Sequence, residues 1–178
     1  MEKEEYAIIL DYLPYGYPLE GKAIPVAQAI GANNFTLLQL VPRKGATLQI
    51  KEKVYIGDGK RDKIYYIAGR LQTEKLTESA KAALSEYIQE VVNTQPKRFV
   101  DFFNKAEAIN TRLHQLELLP GFGRKHTQEI IKEREKKEFE SFEEIKSRIP
   151  SLPDPKKAVE KRIIDELTQV QRYNLFIK

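Results

Sequence analysis

The run Leu118-Leu119-Pro120-Gly121-Phe122-Gly123-Arg124-Lys125 leaves this chain little choice about its path. Before it, Ile109, Leu113, Leu116 and Leu119 recur at spacings of three to four, the beat of one helix face. After it, Thr127, Ile130, Ile131 and Arg134 keep a similar beat. The pattern predicts a helix over 109–118, a sharp reversal, and a second helix starting near Arg124. Pro120 has no backbone N–H and disfavours helical geometry at Leu119, which ends the first helix. Gly121 and Gly123 accept positive φ without a Cβ penalty, and Phe122 between them is the apolar plug that pins the turn.

The start of the second helix carries the functional expectation. Its first amides have no intrahelical partner and carry the positive end of the helix dipole. Bare glycines would let a phosphate oxygen approach those amides, with Arg124 and Lys125 beside it and His126 as a further polar group. Gly121, Phe122, Gly123, Arg124, Lys125, His126 and Thr127 are therefore the candidate set for holding a sugar-phosphate backbone without reading bases. The apolar residues before the turn, the Gly-x-Gly, the basic pair and the Ile-Ile three positions after Thr127 resemble a helix-hairpin-helix motif. Thr127 stands where that motif usually has alanine, which predicts slightly looser packing between the helices. The alternative is a turn that only packs.

The N-terminal part reads as strands. Runs at 6–13, 24–30 and 35–41 are β-like and separated by turn residues, with Pro25 requiring a strand start or an edge. A short strand over 47–50 is expected to lead to Val54-Tyr55-Ile56. Residues 57–62 read as a hairpin loop returning through Ile64-Tyr65-Tyr66-Ile67-Ala68. Short strands with tight turns and no intervening helix suggest a small closed barrel, OB-like in preference to SH3-like.

Positive charge is densest here. Arg43, Lys44, Lys51, Lys53, Lys60, Arg61 and Lys63 outnumber Glu52, Asp58 and Asp62, and tyrosines are interleaved with them. Arg43, Lys44, Lys53, Tyr55, Lys60, Arg61, Lys63 and Tyr65 are thus the candidate barrel face for stacking bases and following a phosphate chain. Alternatively the tyrosines half-bury in the wall and the lysines only solvate it.

The helical half opens at Leu76-Thr77-Glu78 with Thr77 as N-cap, followed by an apolar stripe from Ala80 to Val92. Pro96 starts a second helix bearing Phe99, Val100, Phe102 and Phe103, which read as core. Ser141 is the expected N-cap of a later helix. Residues 137–145 resemble the segment that follows a helix-hairpin-helix in many DNA- and RNA-binding proteins. Around 149–157 the spacing of the first turn returns, but Ser151 and Asp154-Pro155 replace the glycines. This is read as a degenerate second hairpin that packs and does not bind phosphate. Leu175, Phe176 and Ile177 in the tail are expected to dock.

Catalytic constellations are missing from the sequence. There is no cysteine, and His114 and His126 have no carboxylate cluster beside them, so no metal or thiol chemistry is expected. The serines lack a nucleophile elbow. Gly57-Asp58-Gly59-Lys60-Arg61 lacks Walker spacing, and no dinucleotide fingerprint opens a helix. No enzyme activity and no cofactor are expected. No apolar run is long enough to cross a bilayer, and Met1-Glu2-Lys3-Glu4-Glu5 is no signal peptide, so a cytoplasmic protein without a membrane partner is expected.

In order, Tyr-Ala-x-Ile-Leu-Asp-Tyr-Leu-Pro from Tyr6, Tyr55-Ile56-Gly57, Leu76-Thr77-x-x-Ala80 and the Leu119 to Lys125 hairpin resemble an archaeal family known as domain of unknown function 655. The resemblance spans nearly the whole chain. It implies an OB-like N-terminal domain joined to a helix-hairpin-helix region, and a nucleic-acid role with RNA favoured over DNA. The genomic neighbourhood of family members, near ribosomal, RNA polymerase and rRNA-methylation genes, implies partners in ribosomal or transcription machinery. The expected fold class is accordingly multi-domain α and β: an OB-like barrel over 1–75, connecting helices over 76–106, and an all-α helix-hairpin-helix domain over 107–178. The expected function is non-catalytic nucleic-acid binding in translation or ribosome biogenesis. A protein–protein adaptor with a purely structural hairpin is the alternative, prompted by the nearly balanced charge of the helical half.

Overall fold

The computed structural model describes residues 3–177. Met1 and Glu2, part of the stretch read above as no signal peptide, and Lys178 at the end of the apolar tail lie outside them. The chain divides into two compact units, Met1–Tyr87 with Leu167–Lys178, and Ile88–Glu166.

The first unit is built on five strands: β1 (Tyr6–Leu13), β2 (Val26–Gly31), β3 (Leu37–Pro42), β4 (Lys53–Tyr55) and β5 (Ile64–Arg70). Their order in the sheet is β4-β1-β2-β3-β5, and every neighbouring pair is antiparallel. Bulges in β1, between Ile9 and Asp11, and in the β3–β5 ladder help curl the sheet into a half-barrel. Its concave core comprises alternate residues of the strands, among them Ala7, Ile9, Ala29, Leu40, Val54 and Ile64. The opposite face of β1 and β2 is also buried, at Ile8, Leu10, Val26 and Ile30. Gln28, fully buried in β2, has its side chain satisfied. It donates to the carbonyl of Lys75 (2.7 Å) and to Tyr17 Oη (3.2 Å), and accepts from the amide of Thr77 (3.1 Å). Thr77 Oγ1 caps α1 (Glu78–Thr94) by accepting from the Ala80 amide and donates to Asp11 Oδ2. One polar cluster thus registers the helix start on the sheet.

Two sequence expectations change here. Residues 47–50 form no strand, and only Leu48 of them is buried. Residues 57–62 are no hairpin, because β4 and β5 lie at opposite edges of the sheet. Gly57 and Gly59 lack the positive φ that tight hairpin turns need. They are glycines for another reason. A Cβ at Gly57 would lie 2.4 Å from Tyr55 Oη, and one at Gly59 2.9 Å from it. The segment crosses between two edges that run in the same direction, since β4 opposes β1, β5 opposes β3, and β1 and β3 are parallel to each other. Five strands cannot close into a ring of antiparallel pairs alone, and no ladder joins β4 to β5 among the described residues. The expected closed barrel is therefore an open half-barrel.

The second unit is helical. It holds α2 (Pro96–Lys105), α3 (Arg124–Lys136), α4 (Phe142–Arg148) and most of α5 (Pro155–Thr168). The expected helix over 109–118 is absent apart from a short 3-10 helix at Gln115–Leu118. Asn110 Oδ1 accepts from the amides of Arg112 (2.8 Å) and Leu113 (2.9 Å), a local turn that competes with helix. The core gathers around Phe103, whose ring centroid lies 6.2 Å from that of Phe122 and 6.3 Å from that of Phe142. Leu116, Leu119, Ile130, Ile145, Leu152, Val159 and Ile163 complete it.

Candidate nucleic-acid interface

The turn before α3 is held from below and bare above. Phe122 is buried against Phe103, and its amide donates to the carbonyl of Leu119 (3.0 Å). Gly121 has φ +82°, which favours glycine, and a Cβ there would also crowd Pro153 Cγ at 3.1 Å. Gly123 differs from what the sequence suggested. Its φ of −110° is ordinary extended backbone, and a Cβ there would meet nothing within 4 Å. What its missing side chain provides is open space in front of the helix.

Around that space the predicted residues assemble. Gly123 is the N-cap of α3 and has no side chain to offer the amides of the first turn. Its carbonyl accepts from the amide (3.1 Å) and Oγ1 (3.0 Å) of the buried Thr127. His126 Nδ1 reaches back and accepts from the Gly123 amide at 3.2 Å, while its ring lies edge-on to Phe122. Arg124 and Lys125 are exposed. The amides of the first helical turn, two cationic side chains and an imidazole therefore border one open position.

The second turn repeats the scaffold and closes the opening. Leu152, buried like Phe122, donates its amide to the carbonyl of Ile149 at 3.1 Å, as Phe122 does to Leu119. Lys146 Nζ donates to the carbonyls of Pro150 and Leu152. At the head of α5, however, Asp154 Oδ1 accepts from the amides of Lys156 (3.0 Å) and Lys157 (3.2 Å). An anion is already built in there. An Asp-Pro pair opening a helix is a readable signal for such a cap.

Other polar groups of this unit are spent on structure. His114 Nδ1 accepts from the Leu116 amide (3.1 Å), and Glu117 accepts from the His114 amide (2.7 Å), capping the 3-10 helix. Burial, reinforced by the nearby Arg134 and opposed by Glu117, pushes the His114 imidazole below its usual range. Arg134 donates to the carbonyls of Phe103 and Ala106. Arg148 bridges Glu133 and Glu144 and lies over the Phe139 ring. A hydrogen bond from Lys136 and the approach of Arg148 hold Glu133 below the usual carboxylate range. Arg162 and Glu166 form a buried pair in α5 at 2.8 Å.

Of the predicted barrel face, Arg43, Tyr55 and Arg61 are tied to one another through the 57–61 segment, and the other residues lie on or beside the edge strands. Lys53 and Tyr55 sit on one edge strand and Tyr65 on the other. Tyr55 folds over the 57–59 backbone and accepts from the Gly59 amide (2.9 Å). Arg43 Nε donates to the Arg61 carbonyl (2.7 Å), and Arg61 Nε to the Gly57 carbonyl (2.8 Å). Lys63 pairs with Glu52 at 2.6 Å, and Lys53 lies over the Tyr6 ring. Lys44, Lys60 and Tyr65 are exposed, and Tyr66, one of the tyrosines interleaved with the bases but outside the candidate set, is 46% exposed and packs edge-on to Tyr65.

Comparison with known proteins places the whole chain. The family described as "Protein of unknown function (DUF655)" matches residues 3–178. The chain belongs to the DUF655 family. A relative in Methanocaldococcus jannaschii, named uncharacterized protein MJ0038, is 44% identical over 177 residues, which are 98% of this chain and 80% of the relative. The crystal structure of another DUF655 protein, Af1531 from Archaeoglobus fulgidus, superposes with a TM-score of 0.85 at 44% identity. That match covers 98% of this chain and 100% of the other. No helix of the described residues is long and apolar enough to cross a membrane.

Proposed function

We propose that this DUF655 protein is a non-catalytic nucleic-acid-binding protein, with RNA favoured over DNA. It grips the sugar-phosphate backbone at Gly121 to Thr127, read as a helix-hairpin-helix whose first helix is reduced to the 3-10 turn Gln115–Leu118, and works in the cytoplasm beside ribosomal or transcription machinery. The half-barrel, read as OB-like, adds contacts through Lys44, Lys60 and Tyr65. One observation carries the reading: of two turns built on the same scaffold, only the one before α3 leaves its helix N-terminus open, with Arg124 and Lys125 beside it. The turn before α5 is closed by Asp154. An open helix start flanked by cations suits a phosphate and is indifferent to the base.

The test is fluorescence anisotropy with labelled single-stranded RNA, structured RNA and duplex DNA at two salt concentrations. Binding should weaken steeply with salt, because each neutralised phosphate releases counterions. Gly123→Val adds a side chain whose Cβ meets nothing within 4 Å and whose methyls take up the open position, and it should remove most of the affinity. Equal binding by the variant would refute the hairpin as the grip. The adaptor reading draws on a different observation, the exposure of Tyr15 (81%), Leu19 (100%) and Ile24 (52%) in one loop. Failure of every nucleic acid to bind would favour it.

A further inference from the structure

We propose that the mouth of the half-barrel is a second site, which takes a single nucleoside monophosphate unit. A cavity of about 710 Å³ opens where β1 and β3 begin and β4 and β5 end. That volume lies in the range that encloses small organic ligands, and barrel mouths are frequent places for them. The floor is apolar: Leu38 and Ile56 belong to the sheet core, and Ile67 packs against it. Arg61 and Arg70 stand on the lining, and Arg61 is oriented by its bond to the Gly57 carbonyl. Asn34 and Thr36 add polar side chains at the same mouth.

This combination selects a ligand with a flat apolar body, polar edges and one anionic end. Guanidinium groups suit phosphate because their planar donors match its oxygens. The rim also carries Glu4, Glu5 and Asp58, which argue against a continuous run of phosphates here. Two of these carboxylates are engaged within the chain. Glu4 accepts from the amides of Asn33 (2.9 Å) and Asn34 (2.6 Å), and Asp58 faces Lys3 at 3.7 Å. One phosphate between Arg61 and Arg70, with the base on Leu38 and Ile67, satisfies the lining; a polyanion does not. The unit is either a free mononucleotide or one unstacked residue of a strand. The site does not depend on the hairpin, which uses other residues.

The experiment is a ¹H–¹⁵N titration of the full chain with AMP, UMP, adenosine, inorganic phosphate and a pentauridylate. Saturable shifts of Thr36, Leu38, Ile56, Gly57 and Ile67 are expected with the monophosphates, and adenosine and inorganic phosphate should each bind about tenfold more weakly or worse. Arg61→Gln and Arg70→Gln should each weaken the monophosphates about tenfold, the scale of one charge-assisted hydrogen bond. Gly123→Val should leave these shifts unchanged, which separates this site from the hairpin. Shifts from pentauridylate alone would identify a strand residue as the ligand. The proposal is overturned if no compound shifts these amides, if inorganic phosphate binds as tightly as AMP, or if neither arginine variant weakens binding.

Discussion

Gly123→Asp should raise stability and destroy nucleic-acid binding together. The backbone at Gly123 is ordinary for any L-residue, and an added Cβ meets nothing within 4 Å. An aspartate there could accept from the first-turn amides of α3, as Asp154 does at 3.0 and 3.2 Å at the head of α5. Aspartate caps better than glycine by a few tenths of a kcal/mol, and a carboxylate at a helix start gains on the order of 0.5 kcal/mol from the dipole. Replacing glycine also narrows the unfolded ensemble, so the total gain is about 1 kcal/mol. For a chain of this size that is a rise in Tm of roughly 2–4 °C. The same carboxylate occupies the phosphate position and repels it. Losing two charge-assisted hydrogen bonds, at about 1.5 kcal/mol each, weakens binding about a hundredfold. Thermal melts followed by circular dichroism and anisotropy titrations read the two effects. A lower Tm would refute the cap geometry, and unchanged affinity would refute the grip.

Three further outcomes follow from other sites. Gly121→Ala forces a Cβ into the left-handed region and against Pro153, and should cost about 1–2 kcal/mol in urea denaturation, whereas Gly123→Ala should stay within about 0.5 kcal/mol of wild type. Arg162→Ala removes the 2.8 Å charge-assisted bond to the buried Glu166 carboxylate and should destabilise by about 2 kcal/mol, with Arg162→Leu plus Glu166→Leu recovering most of the loss. His114 has a folded pKa below its unfolded one, so the unfolded state binds more protons. Its contribution is complete above the usual imidazole range and falls as pH drops through that range to the lower folded value. Urea midpoints at pH 7.5 and 5.5 should show this loss, and His114→Asn, which keeps a capping oxygen, should reduce it; an unchanged difference would assign the titration elsewhere.

Features set by near neighbours were legible in the sequence. Thr77 and Ser141 both cap the helices they precede, because a hydroxyl three residues before a free amide needs nothing distant to reach it. Phe122 is the buried plug between two glycines, and the Pro120-Gly121 break ends the preceding turn as Leu119 leaves helical geometry. The strands β1, β2, β3 and β5 follow their apolar runs to within a few residues, and Pro25 stands just outside β2. The closed second turn was readable from Asp154-Pro155. Where local rules competed, apolar spacing did not decide the structure. Ile109 and Leu113 keep helical spacing, yet the Asn110 side chain satisfies the amides a helix would have used.

Local bonding rules therefore determined the elements, their caps and the turn that opens α3. Which strands pair was decided by tertiary structure, because pairing depends on residues such as Tyr6 and Tyr55 that are far apart in the chain. With β4 on one edge and β5 on the other, Tyr55 and Tyr65 came to lie on different edge strands, and Arg43, Arg61 and Tyr55 each bond to the crossover between them. The meaning of each glycine was decided there too. Gly121 serves φ and Pro153, Gly57 serves the Tyr55 ring, and Gly123 serves the space outside the helix. The sequence shows only that a side chain is missing; what stands where it would have been is a property of the fold.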